Sequence, residues 1–170
     1  MRKIYSLGIL FLFITVQNID AQKSSSTLEL ATFFKGKKRV KDPIITVFDQ
    51  DGQPVELKKG STEAGRVLLY FPFNNIYKVV IVREGYISVN FTVNTFLPND
   101  VNIENMSTDL DLKMIEQPKD GTKESIEKPV AKVNYIENIG MFDYDWDYDD
   151  QLSSEIRELE KKIREKNKVF

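Results

Sequence analysis

The sharpest local concentration of side chains that could do chemistry is the run Phe142-Asp143-Tyr144-Asp145-Trp146-Asp147-Tyr148-Asp149-Asp150, in which aromatics and acids alternate. Read as a strand, its period of two places Phe142, Tyr144, Trp146 and Tyr148 on one face and Asp143, Asp145, Asp147 and Asp149 on the other. One row can pack while the other meets water or calcium. An EF-hand loop starting at Asp143 has Asp145 and Asp147 in place, but it puts Tyr148 where glycine is needed and Ser154 where the bidentate glutamate belongs. Starting at Asp145 fails similarly. The favoured expectation is an added strand or arm whose aromatics lie on the rest of the fold; a weak surface calcium is the one metal option, and no cofactor is expected. Asp49 and Asp51 invite comparison with glycosidase acid pairs, but they lie just before Gly52 at a hairpin turn, where aspartate serves the backbone.

Two absences narrow the chemistry further. The chain has no cysteine, hence no disulfide, thiolate nucleophile, thiolate metal site or lipid-bearing cysteine. It has no histidine, which removes the Ser-His-Asp triad and the histidine-based zinc site. Carboxylate, lysine, serine and tyrosine chemistry remain, and a carboxylate hydrolase would need two acids converging in a cleft that sequence does not locate. The chain is expected not to be an enzyme. Charge is segregated: residues 22–99 carry 11 basic and 7 acidic groups, whereas residues 100–150 carry 5 and 14. That acidic middle would repel nucleic acid and anionic lipid.

The elements that must position these residues begin after a leader. Arg2 and Lys3, the 13-residue apolar run Ile4–Val16 and Ile19-Asp20-Ala21 have the layout of a secretory signal cleaved after Ala21. The run is well short of the roughly 20 residues of a membrane-spanning helix. The rest of the chain is therefore expected to be exported and soluble. Strands are expected at Thr27–Phe34, Ile44–Phe48, Val55–Leu57, Arg66–Phe71, Tyr77–Val82, Tyr86–Val93 and Leu110–Met114. Turns fall at Asp51-Gly52 and Glu84-Gly85, a basic turn at Lys35–Lys41 and a loop at Gly60–Gly65. Tyr86–Val93 alternates strictly, so Tyr86, Ser88, Asn90 and Thr92 should form a wet face. Seven short strands at regular spacing imply a mainly β chain, a seven-strand Ig-like β-sandwich over 27–116.

Residues 117–128 hold Pro118, Gly121 and a single large aliphatic, Ile126, and read as a mobile linker. Residues 129–170 form the acidic-aromatic segment and a C-terminal helix, with a possible strand at Pro129–Ile136. From Leu152 to Asn167 there is no glycine or proline, and Leu152, Ile156, Leu159 and Ile163 recur at intervals of four, three and four, one narrow apolar stripe. Asp150 or Ser153 can cap it. The stripe can fold back on the sandwich, pair with a second copy or dock on a partner.

The series Asp51-Gly52, Gly65, Leu69, Phe71-Pro72, Tyr77, Val79, Gly85-Tyr86 resembles the carboxypeptidase regulatory-like domain, a transthyretin-like β-sandwich of exported Bacteroidetes proteins. Phe71 replaces the usual leucine, and Arg66 stands where an aromatic is usual. The segment Pro129–Tyr148 also looks like the tail of small periplasmic proteins of that phylum. The resemblance implies a non-catalytic spacer, adhesion or docking module and carries over no active-site residue. The functional expectation is a periplasmic or outer-membrane-associated module that docks on a larger envelope protein assembly. Its partner-binding residues would be Phe142, Tyr144, Trp146, Tyr148, Leu152, Ile156, Leu159 and Ile163. The alternative is a carbohydrate- or peptidoglycan-binding module that stacks sugars on Trp146 and the tyrosines.

Overall fold

A computed structural model describes residues 26–35, 42–61, 66–103 and 105–168. The expected leader, the basic turn after Lys35 and most of the loop ending at Gly65 lie outside the described residues. The chain is mainly β, with two sheets and one C-terminal helix.

The first sheet joins β1 (Thr27–Lys35), β4 (Lys58–Ser61), β5 (Arg66–Pro72) and β8 (Asn105–Lys113) in the order β4-β5-β1-β8. Strands β1 and β5 are antiparallel, with Leu30 opposite Leu69, while β1 and β8 are parallel, with Leu30 opposite Thr108. The second sheet runs β10-β9-β7-β6-β2-β3. Its members are β2 (Ile44–Phe48), β3 (Pro54–Val55), β6 (Ile76–Val82), β7 (Val89–Asn94), β9 (Lys132–Ile136) and β10 (Met141–Tyr144). Here β7 and β9 are parallel and the other pairs antiparallel.

The alternation of apolar residues determines which face of each strand is buried. Leu28, Leu30 and Phe34 of β1 meet Leu69 and Phe71 of β5, Val79 and Ile81 of β6, and Val89, Phe91 and Val93 of β7 in one continuous core. Each such side chain contributes roughly 1.5–3 kcal/mol when fully buried. The β2–β3 turn forms as its residues require. Asp49 Oδ1 accepts from the backbone N–H of Asp51 at 3.0 Å and of Gln53 at 2.8 Å, and Gly52 takes φ +74°, open to glycine without strain.

Several expected boundaries move, each for a local reason. The hairpin partner of β2 is only Pro54–Val55, because the chain leaves that sheet and Lys58–Ser61, whose last two residues fall in the loop expected at Gly60–Gly65, pairs with β5 instead. Strand β8 begins at Asn105 rather than Leu110, its polar half running parallel to β1. Strand β7 starts at Val89; Tyr86 makes only an isolated bridge to Glu116. Its expected wet face is covered at Asn90, which is 8% exposed. Residues 127–130 run beside it: Val130 N–H donates to Asn90 O at 2.6 Å, and Asn90 Nδ2 donates to Glu127 O at 3.2 Å.

The aromatic-acidic run is not one strand. Strand β10 ends at Tyr144, and α1 spans Trp146–Lys166, six residues earlier than the expected Leu152 start. Asp145, not Asp150 or Ser153, is the N-cap: its carboxylate accepts from Tyr148 N–H at 3.1 Å. Asp147 and Asp149 then fall in the first turn and Arg164 and Lys166 in the last, both favourable to the helix dipole. The alternation ends because four of the aspartates suit a helix N-terminus better than a strand. Among the described residues, no helix is long and apolar enough to cross a membrane.

Candidate docking surface

The helix packs against its own chain. Ile163 is buried with Ile87 and Ile115 in a cluster separate from the main core, and Ile126, Ile156 and Leu159 close around it. Leu152 is buried as well. Tyr148 stands four residues before Leu152 and extends the stripe by one turn; its hydroxyl donates to Pro129 O at 2.7 Å, and Lys132 Nζ lies 3.9 Å from its ring centre. Burial pushes the Tyr148 phenol up.

Ion pairs and hydrogen bonds flank this apolar seam. Lys113 of β8 pairs with Glu160, and Lys128 with Glu155 at 2.6 Å. Residues 117–128, expected as a linker, lie along α1. Glu124 accepts from Lys166 at 2.8 Å and from Lys162, and the Lys119 N–H donates to Asn167 Oδ1 at 2.8 Å. Gln117 folds this strap on itself, donating to Glu124 O at 3.0 Å and accepting from Glu124 N–H at 2.9 Å. The two lysine hydrogen bonds hold the Glu124 carboxyl below its ordinary range, and Glu124 in turn raises Lys166. Strap and helix fit because Glu124 meets lysines one turn apart.

The eight candidate partner-binding residues therefore separate by environment. Phe142 is in the main core, stacked on Phe73 with ring centres 5.9 Å apart and edge-on to Tyr135 at 5.5 Å. Leu152 and Ile163 are buried under the helix. Tyr144, Tyr148, Ile156 and Leu159 are half-buried, and Leu152, Ile156 and Leu159 line a shallow groove of about 330 Å³ beside Ser125–Lys128. Trp146 stands apart at 58% exposed, its ring centre 4.0 Å from that of Tyr144 at a 44° tilt. Tyr144 has its phenol raised by burial and by the neighbouring Asp143 and Asp149.

Sequence reasoning did not single out two further exposed residues in the same stretch. Ile139 and Met141 precede Trp146 on the β9–β10 turn and β10, and the three are among the seven large apolar side chains left exposed in the described residues. Their signal was visible: the chain turns at Gly140, and side chains around a tip rarely reach the core.

Among the described residues, no other grouping of side chains points to catalysis or metal binding. Asp49 and Asp51 serve the β2–β3 turn as expected. Among the described residues, no three acidic side chains come together where they could hold a metal ion. Neither a protein-family model nor any curated protein matches the chain.

Proposed function

We propose that this chain is a non-catalytic, exported interaction module that docks on a larger cell-envelope protein assembly in the periplasm. The carrying observation is Trp146: a single tryptophan held on a helix N-terminus, more than half exposed, against Tyr144. Aromatics of this kind act as anchors at protein interfaces because they bring large apolar area with little entropy to lose. Ile139 and Met141 add exposed apolar surface to the same stretch. The leader-like residues 1–21 support export, and the lack of histidine and cysteine supports a role without ordinary catalytic groups. The finer assignment, a seven-strand transthyretin-like sandwich of the carboxypeptidase regulatory-like kind, rests on the motif series from Asp51 to Tyr86 and belongs to this proposal.

Because Phe142 belongs to the core, removing residues 141–170 would test folding and docking together. A point substitution separates them. Affinity-tagged wild type and Trp146→Ala, recovered from native envelopes after crosslinking, should differ by about tenfold in recovered partner, the loss of a modest interface anchor. Equal recovery contradicts the docking surface.

The same exposed ring supports a second reading, a carbohydrate- or peptidoglycan-binding module that stacks sugars on Trp146. Since Trp146 is the only tryptophan, its emission reports directly. A shift on adding peptidoglycan fragments favours this reading; no change across a glycan panel counts against it.

A further inference from the structure

Strand β8 is an edge of its sheet, nine residues long, without proline or glycine. Its hydrogen-bonding direction follows from the parallel ladder: Met114 N–H donates to Lys35 O, so even-numbered residues bond β1 and the odd ones point their N–H and C=O groups away from it. Among the described residues, these outward groups of Ser107, Asp109, Asp111 and Lys113 meet no hydrogen-bond partner. Edges of this length are ordinarily covered or broken, since an unpaired ladder is a template for another strand.

The edge also borders a built groove. Asp109–Lys113 form one side of a cleft of about 760 Å³, and the end of β10 at Tyr144 and the helix from Asp149 to Glu160 form the other. That volume lies within the range of ligand clefts. Tyr144 and Ile156 supply apolar lining, while Leu110 and Leu112 turn into the main core. Lys113 is paired with Glu160 and Lys35 with Asp111, which leaves Arg66 and Arg157 against Asp109 and Asp149, so the lining is balanced in charge.

We propose that this cleft binds an extended segment of a partner protein, which adds to β8 as a further strand. A free row of alternating donors and acceptors beside a helix is complementary to a peptide backbone. The balanced charge selects an uncharged segment, with small apolar side chains at alternate positions facing Tyr144 and Ile156. The cleft is separate from the Trp146 surface and does not depend on that reading.

The test uses an N-acetylated, C-amidated hexapeptide of alternating valine and threonine, added to the whole chain and followed by amide exchange in NMR spectra. The amides of Asp109, Asp111 and Lys113 should become protected, with little sensitivity to salt. The same peptide N-methylated at alternate residues along its pairing edge should bind at least about tenfold more weakly, the loss of one or more main-chain hydrogen bonds. Asp109→Pro removes an outward N–H that bonds nothing among the described residues, a change an edge strand tolerates. It should abolish protection while the thermal melt stays in place and Trp146-dependent partner recovery is unchanged. The proposal is overturned if millimolar peptide gives no protection, if N-methylation or Asp109→Pro leaves binding intact, or if binding falls steeply with salt. It is equally overturned if protection grows with protein concentration alone, which would make a second copy the occupant.

Discussion

Phe142 and Ile163 are both nearly inaccessible, yet they sit in interiors of different kinds. Phe142 lies between two sheets, among residues contributed by strands from Leu28 to Val133. Ile163 lies in a cluster of three buried isoleucines, closed at its rim by half-buried side chains and by ion pairs of Glu124 with the exposed Lys162 and the half-buried Lys166. Ion pairs this near the surface contribute little each. The helix layer should therefore open at lower free energy than the sandwich, as local units with few buried apolar contacts do.

The sharpest way to break this comparison is to cut into each interior. Phe142→Ala should lower global stability by about 3–5 kcal/mol, as loss of a core phenylalanine does, and shift the whole denaturation curve. Ile163→Ala should cost about 2–4 kcal/mol locally, in the range for a buried isoleucine. Its effect should appear first as faster amide exchange along α1, with β6 and β7 little changed. If Ile163→Ala instead loosens every strand equally, the two interiors are one cooperative unit. A smaller effect is expected for Tyr148→Phe, which removes the hydroxyl bonded to Pro129 O; about 1 kcal/mol is typical of one such hydrogen bond.

The smallest effect depends on pH. Glu124 is held below its ordinary 4.5 by Lys166 and Lys162. A carboxylate with a depressed folded value contributes stability that is complete above its unfolded value and is lost as pH falls through the folded one. Amide exchange of residues 162–168 should thus accelerate on acidification below about pH 4.5, and Glu124→Gln should flatten that dependence. An unchanged profile in the variant would remove Glu124 from the strap.

The same contrast explains what could be read from the chain. The strands were legible for two reasons: Tyr86–Val93 repeats every second residue, a pattern that one buried face fixes, while Ile44–Phe48 and Tyr77–Val82 are short β-branched or apolar runs bounded by turns. The helix start was not, because Phe142–Asp150 satisfies two periods at once. Its alternation suits a strand, while Tyr148 and Leu152 at four residues suit a helix, and only the Asp145 cap decides between them. The strap from Gln117 to Lys128 was hidden for another reason. Its attachments are side-chain and main-chain hydrogen bonds to residues some 40 positions away, and composition carries no trace of them. Nor was the β8 edge readable, since which strand lacks a neighbour is a property of topology.

These findings relocate the proposed docking face from the apolar stripe of α1, which is used within the chain, to its N-terminus at Trp146. A photoreactive benzophenone side chain placed in turn at positions 146 and 159 in native envelopes tests this most directly. The expected result is a high-mass adduct with a partner from position 146 and only intramolecular adducts, to the strap or sandwich, from position 159. Partner adducts from position 159 with none from position 146 would contradict it, because the helix would then be docking in trans by the stripe that the structure buries.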